Sequence, residues 1–300
     1  MKVTMSPHYA TGLACALLAL GGCSGAGGAS SVPAAVPLRE QSKQGPLVYV
    51  SDSLGSFVDV FTKDGTLTGK ITTDMDYPVE LFVDAKHNLW VANSLGNDVL
   101  RFRRGVTKPS IYTGVQGAYA ATTCPDGTLY VTDFGSKIAV FAPGHHSPTG
   151  SLTENYGEAT SISCDPSGNV FVTATLLSPP GYVVEFPAGS TEAKLLPINL
   201  PNPVDAKPDP AGNLLVLDSA GGHYNTITEY TEAGQPTGKA MALDDNWSEM
   251  VITPNGKKIF GADVNALDGT LRLFRNDKQL QSYQDSKFKQ LGGIAFDPGT

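Results

Sequence analysis

Three acids stand at equivalent places in a chain that repeats itself. Glu80, Asp205 and Glu249 each lie four residues before the start of a recurrent turn. The matching positions in the other repeats hold Ala120, Ser161 and Gly293. Carboxylates brought to one level from separate strands would offer several hard oxygen donors, the set that Ca²⁺ takes. One expectation is therefore a metal or ligand site built by Glu80, Asp205 and Glu249. The other is that each carboxylate meets water or a backbone N–H. Beyond a possible Ca²⁺, the residues call for no cofactor.

Other reactive side chains fit no catalytic pattern. Asp52, Asn93, Asp133, Asp218 and Asp263 end a strand at equivalent places in every repeat but the fourth, which has Ala174, and Asp and Asn there cap their own turns. His87, His145, His146 and His223 fall in turns, and the His145–His146 pair is expected to face solvent. There is no Gly-x-Ser-x-Gly, phosphate loop or paired-cysteine zinc spacing. The net charge is −8, charged residues are 17% of the chain, and no basic cluster interrupts it. A nucleic-acid partner is not expected.

The elements that must position these residues are short strands. The stretch VDAKHNLWVAN at 83–93 reads as a hairpin, with β-branched and aromatic residues at period two around a polar turn. It recurs as CPDGTLYVTD, DPSGNVFVTA, DPAGNLLVLD and TPNGKKIFGAD, so the turns start at 84, 124, 165, 209 and 253. A period near 40 residues marks a repeat architecture. Each unit continues into a third strand carrying an aliphatic or β-branched residue three before an aromatic. Val58 and Phe61, Val99 and Phe102, Ile138 and Phe141, Val183 and Phe186, Ile227 and Tyr230, and Leu271 and Phe274 obey this rule. A weaker fourth strand follows, as around Ile111 or Leu152. Four short antiparallel strands per period make a propeller blade. The chain ends in GIAFDPGT, a first strand and its turn, and the fold opens with LVYVSD, a second strand. Joined, they make one more repeat. The expectation is an all-β, six-bladed propeller over residues 45–300, closed by pairing of its N- and C-terminal strands, with little or no helix. In such a ring the first strands line the axis, which puts Glu80, Asp205 and Glu249 at a channel mouth.

The front of the chain reads differently. Residues 12–20 (GLACALLAL) form an apolar run too short to span a bilayer as a helix, and fit a secretory signal. The run ends Leu20-Gly21-Gly22-Cys23, which resembles the bacterial lipobox. That resemblance implies a signal peptide over 1–22, lipidation of Cys23, and an exported protein held to a membrane on the periplasmic or cell-surface side. Ordinary cleavage with an incidental Cys23 is the alternative. Residues 23–44 are then the lipidated cysteine and a Gly, Ala, Ser and Pro tether with no apolar periodicity. Of the four cysteines, Cys124 and Cys164 remain in the body of the protein. They end first strands in adjacent repeats, offset by one position, so alternation of side chains allows a disulfide between blades. Two small buried apolar residues are the other reading.

The repeat is similar to NHL-type propellers. Pro78 and Pro203, Gly293, the acids Asp84, Asp165, Asp209 and Asp297, and the turn residues Asn88, Asn169 and Asn213 carry the resemblance. That family usually keeps Gly where Glu80, Asp205 and Glu249 stand. Six-bladed lactonases of the gluconolactonase group use a divalent metal, but this chain has Val79, Tyr119, Thr160, Val204, Ser248 and Gly292 at their ligand level. The expected function is therefore a non-catalytic binding or scaffold module of the cell envelope. Its partner would be an envelope protein, a glycan or a small ligand. The face with the fourth-to-first and second-to-third strand loops, bearing Tyr77, Tyr119, Tyr156, Tyr224 and Trp247, is the expected binding surface. The alternative is a divalent-metal-dependent hydrolase or lyase, lactonase-like, using Glu80, Asp205 and Glu249.

Overall fold

A computed structural model describes residues 45–133, 135–175, 180–219, 225–243, 247–256, 259–263, 270–275, 278–284 and 289–299. The first sheet begins with β1 (Leu47–Asp52), β2 (Phe57–Thr62) and β3 (Leu67–Ile71). The second holds β4 (Pro78–Val83), β5 (Leu89–Asn93), β6 (Asp98–Phe102) and β7 (Ser110–Thr113). The third holds β8 (Ala121–Thr123), β9 (Leu129–Thr132), β10 (Lys137–Phe141) and β11 (Gly150–Thr153). The fourth holds β12 (Glu158–Cys164), β13 (Val170–Thr175), β14 (Tyr182–Phe186) and β15 (Lys194–Leu195). The fifth holds β16 (Pro203–Pro208), β17 (Asn213–Ser219), β18 (Asn225–Thr231) and β19 (Pro236–Leu243). The sixth holds β20 (Trp247–Ile252), β21 (Ile259–Asp263), β22 (Thr270–Arg275) and β23 (Lys278–Gln284). The last strand, β24 (Leu291–Asp297), returns to the first sheet, giving the order β24-β1-β2-β3. The fold is thus a β-propeller of four-stranded antiparallel blades, with no helix among the described residues.

Local chemistry explains why each hairpin turns where it does. Asp84 Oδ1 accepts the backbone N–H of Lys86 and of Asn88, both at 2.9 Å. Asp165 does the same with Ser167 and Asn169, and Asp209 with Ala211 and Asn213. The recurrent Asp is therefore the acceptor that bends the chain from first to second strand, an Asx turn. The acids that end the second strands also cap. Asp52 receives the N–H of Gly55, Asp133 that of Gly135 and Asp218 that of Asn202.

Closure rests on two observations. β1 pairs antiparallel with β24, Val48 opposite Phe296 and Val50 opposite Ile294. The first strands also touch in sequence around a ring: β24 with β4, β4 with β8, β8 with β12, β12 with β16, β16 with β20, and β20 with β24. Packing follows the same cycle. Val58 and Val60 pack with Leu81 and Val91, joining the first sheet to the second. Trp90 and Val99 join the second to the third through Val131 and Phe141. At the seam, Phe260 packs with Val48, Phe61 and Ile294. The third-strand aromatics Phe61, Phe102, Phe141 and Phe186 are each no more than 2% exposed. Burial of each contributes about 1.5–3 kcal/mol.

A disulfide joins Cys124 to Cys164, Cα atoms 5.4 Å apart, tying the third sheet to the fourth. It closes a loop with a sequence separation of 40. Replacing both cysteines by alanine is expected to lower unfolding free energy by about 2–4 kcal/mol. Urea denaturation measures this; an unchanged midpoint would show that the bridge contributes nothing to folding.

Candidate functional site

The three acids lie on the first strands, but their surroundings differ from a channel mouth. Glu80 is on β4, Asp205 on β16 and Glu249 on β20, and all are buried. Each first strand presents an inner edge whose N–H groups have no neighbouring strand, and buried donors of that kind need acceptors. Asp205 Oδ2 accepts the N–H of Met250 at 2.9 Å, and Glu249 Oε2 accepts that of Ile294 at 2.9 Å. Met250 and Ile294 each follow the equivalent position of the next sheet, Glu249 and Gly293. Glu80 stands in the same relation to Ala121. Its Oε2 makes no bond of normal geometry, although the Ala121 N–H is close enough to favour the ionised form. Asp205 and Glu249 are therefore blade-to-blade latches. Gly293 belongs to the same system: a Cβ there would meet Val79 O at 2.4 Å and Glu249 Oε2 at 2.6 Å. Serine does similar work nearby, with Ser51 Oγ accepting the Gly293 N–H and donating to Val79 O.

A fourth residue completes the cluster. Lys207 lies two positions after Asp205, hence on the same side of β16. Its Nζ is 2.7 Å from Glu80 Oε1 and 3.2 Å from Asp205 Oδ1. Asp205 also accepts the hydroxyl of Ser161. In the ring order β24, β4, β8, β12, β16, β20, the strands β4 and β16 stand opposite one another. The Lys207–Glu80 pair therefore spans the axis and plugs it. Nothing in the repeat period marks Lys207; the signal was a cation at alternate spacing from one of the acids.

The charges gathered here shift the protonation of Glu80, Glu249 and Lys207. Burial raises Glu80, Lys207 opposes that rise, Asp205 adds to it, and the carboxyl settles at about 7. Burial and the charge of Glu80 raise Glu249 well above the ordinary carboxylate range. Burial alone would lower the Lys207 ammonium, but Asp205, Glu80 and Glu249 more than reverse this and keep it charged. Among the described residues no group of three or more His, Cys, Asp or Glu side chains is arranged to hold a metal ion.

The plug floors a cavity of about 950 Å³ that opens on the face of the first-to-second strand turns. Lys207 and Glu249 line its depth, and Trp90, Arg101, Tyr112 and His145 are among its walls. This is opposite to the face expected from the exposed aromatics. Trp247, expected there as a surface residue, is 0% exposed and packs over Gly261, because its ring fills the space beside a residue without a side chain. Tyr77, Tyr119 and Tyr156 remain half-buried on the loop side, Tyr156 beside Tyr182 with ring centroids 5.6 Å apart. Tyr224, His223, Cys23 and residues 1–44 lie outside the described residues. His87 pairs through Nδ1 with Asp297 at 2.7 Å, and Arg104 reaches the other oxygen of that carboxylate. His145 and His146 are exposed as expected, and His146 also stacks one face on Tyr112.

No protein-family model matches the chain, and no curated protein matches it. Solved structures do. A chain of a nidogen/laminin complex superposes with a TM-score of 0.65 at 16% identity, covering 84% of this chain and 98% of that one. A Bacteroides caccae protein of unknown function gives 0.64 at 14%, covering 84% and 99%. The hydrazine synthase of Kuenenia stuttgartiensis gives 0.60 at 18%, covering 84% and 81%. At these identities the likeness concerns the fold, a β-propeller.

The cluster predicts the sign of a pH effect. An acid whose folded value is raised stabilises the fold fully below its unfolded value, near 4.5 for Glu80, and that contribution is lost as pH rises to about 7. Unfolding free energy should fall across this window, and Glu80→Gln should flatten the fall. Lys207→Met, which strands buried carboxylates, is expected to cost about 3–5 kcal/mol at pH 8. Urea titrations from pH 4 to 8 measure both. Parallel profiles for wild type and Glu80→Gln would dismiss the axial cluster as the source.

Proposed function

We propose that the chain is an exported, lipid-anchored, six-bladed NHL-type propeller that works as a non-catalytic binding module of the cell envelope. The supporting observation is the division of labour at the axis. Asp205 and Glu249 hold neighbouring blades together, Glu80 pairs with Lys207 across the ring, and an open cavity lies beside them. Acids in that role are latches, and the cavity is the concave surface left for a ligand. Attachment and access share a face in this reading. Arg104 donates to the carbonyl of Gly45, where the tether joins the propeller, on the same side as the cavity mouth. The partner is a small ligand or the exposed end of an envelope protein or glycan that fits this mouth. No metal or cofactor is part of the proposal.

The competing reading is a lactonase-like hydrolase or lyase with a divalent ion, Ca²⁺ included, on Glu80, Asp205 and Glu249. Thermal unfolding with EDTA and with Ca²⁺, Mg²⁺, Zn²⁺ and Mn²⁺ separates the two. A ligand at a hundred times its Kd adds about 2.7 kcal/mol of stability. The binding-module reading expects no shift with any ion. A shift that disappears in Glu249→Gln would move the assignment to the hydrolase.

The anchor is tested separately. In cells, Cys23→Ser is expected to move the protein from the membrane fraction to the soluble fraction and to remove the mass of the acyl chains. Equal partitioning and equal mass in both forms would remove the lipid from the model.

A further inference from the structure

Among the described residues Arg101, a cation in the cavity wall, forms no ion pair with a carboxylate. Phe82, Trp90, Arg101 and Ser110 stand opposite one another across β4, β5, β6 and β7, a single row over one side of the second sheet. Phe82 and Trp90 stack with ring centroids 5.6 Å apart and planes 8° from parallel. The Arg101 guanidinium carbon lies 5.4 Å from the Trp90 ring centroid and 5.5 Å from that of Tyr112. Tyr112 is fixed in turn by His146 of the third sheet, stacked at 4.3 Å, whose Nδ1–H donates to Ile111 O. The guanidinium is therefore held by two aromatic faces of its own blade, one of them backed by a ring of the next.

Its hydrogen bonding does not match that investment in position. Arg101 carries five N–H donors. Among the described residues it makes one bond, Nη2 to Ser110 Oγ at 3.4 Å, and its Nε is buried without a partner. No carboxylate among the described residues lies within ion-pair distance of it. The acids of the same cavity are already engaged. Asp84 receives the N–H groups of Lys86 and Asn88, the Asn88 amide and the Trp90 indole N–H. Asp126 receives the N–H and hydroxyl of Thr128. A guanidinium fixed in plane, desolvated on one side and open to a cavity on the other suits a bidentate oxyanion.

Building on the reading of this cavity as a ligand site, we propose that it binds a small anionic ligand, a carboxylate or a phosphate monoester, through Arg101. The oxyanion sits on the guanidinium edge. Lys86 and His145 at the cavity wall supply further positive or donor groups, and the rest of the ligand occupies the space above the axial plug.

The test is thermal unfolding and calorimetric titration of the full chain with four probes: inorganic phosphate, phenyl phosphate, benzoate and neutral benzyl alcohol. The anions are expected to raise Tm and to bind at least tenfold more weakly to Arg101→Leu. Arg101→Lys, which keeps charge and packing length, should fall between. Phosphate and phenyl phosphate acting without benzoate would assign the ligand to the phosphate class, and the reverse to the carboxylate class. An anion shift that Arg101→Leu and Arg101→Lys both retain overturns the proposal. So does a shift with benzyl alcohol alone, which would leave the cavity as a binding site and remove its preference for anions. No shift with any anion overturns the proposal equally.

Discussion

The fold depends on the pairing of its last strand with its first. β24 supplies the innermost strand of a sheet whose other three members begin the chain, so the ring is closed by hydrogen bonds between residues nearly 250 positions apart. Without that pairing β1 would be a free edge at the seam, and Phe260 would lose the partners Val48 and Ile294. Everything at the axis follows from this closure. Once six first strands face a common line, their inner edges have no further strand to pair with.

Carboxylates answer that geometric demand, and they bring a second problem. Asp205 and Glu249 reach across to the next blade because a side-chain oxygen is the acceptor available to an edge N–H. Yet three acids gathered in a buried volume repel one another. The chain relieves the repulsion with one lysine and with protons. Lys207 faces all three charges, and the carboxyls of Glu80 and Glu249 are raised by burial and by neighbouring carboxylates, Asp205 for Glu80 and both Glu80 and Asp205 for Glu249. The cluster thus sets one ammonium against three carboxylates, two of which burial shifts toward their protonated forms.

How much of this was legible in the sequence depended on range. The Asx turns are local: Asp84, Asp165 and Asp209 bend their own segments, so their spacing revealed the period and the strand order. The third-strand pairs such as Val58 and Phe61 were legible because a buried face must be apolar at fixed spacing. Cys124 and Cys164 could be paired because alternation on adjacent strands is also a short-range rule. The axial plug was not legible. Lys207 meets Glu80 at a separation of 127 residues, between blades that stand opposite, and a repeat describes neighbours only. Trp247 was misread for a related reason: an aromatic in a loop-side position looks exposed until the space over Gly261 is known.

The plug also decides what kind of site the cavity is. A propeller axis left open is a through-channel, with two mouths and no floor. Here Lys207, reaching Glu80 from the opposite strand, blocks passage, and the cavity is entered and left from the side of the first-to-second strand turns. Those turns are rigid, since their acids are engaged by their own backbone. Recognition is left to side chains that the turns do not use. Arg101 is such a side chain, held on its own blade by aromatic packing from Trp90 and Tyr112, with the His146 ring of the next blade behind the latter. That packing keeps the guanidinium in one plane, and a fixed plane is what distinguishes recognition of an oxyanion from diffuse attraction to negative charge.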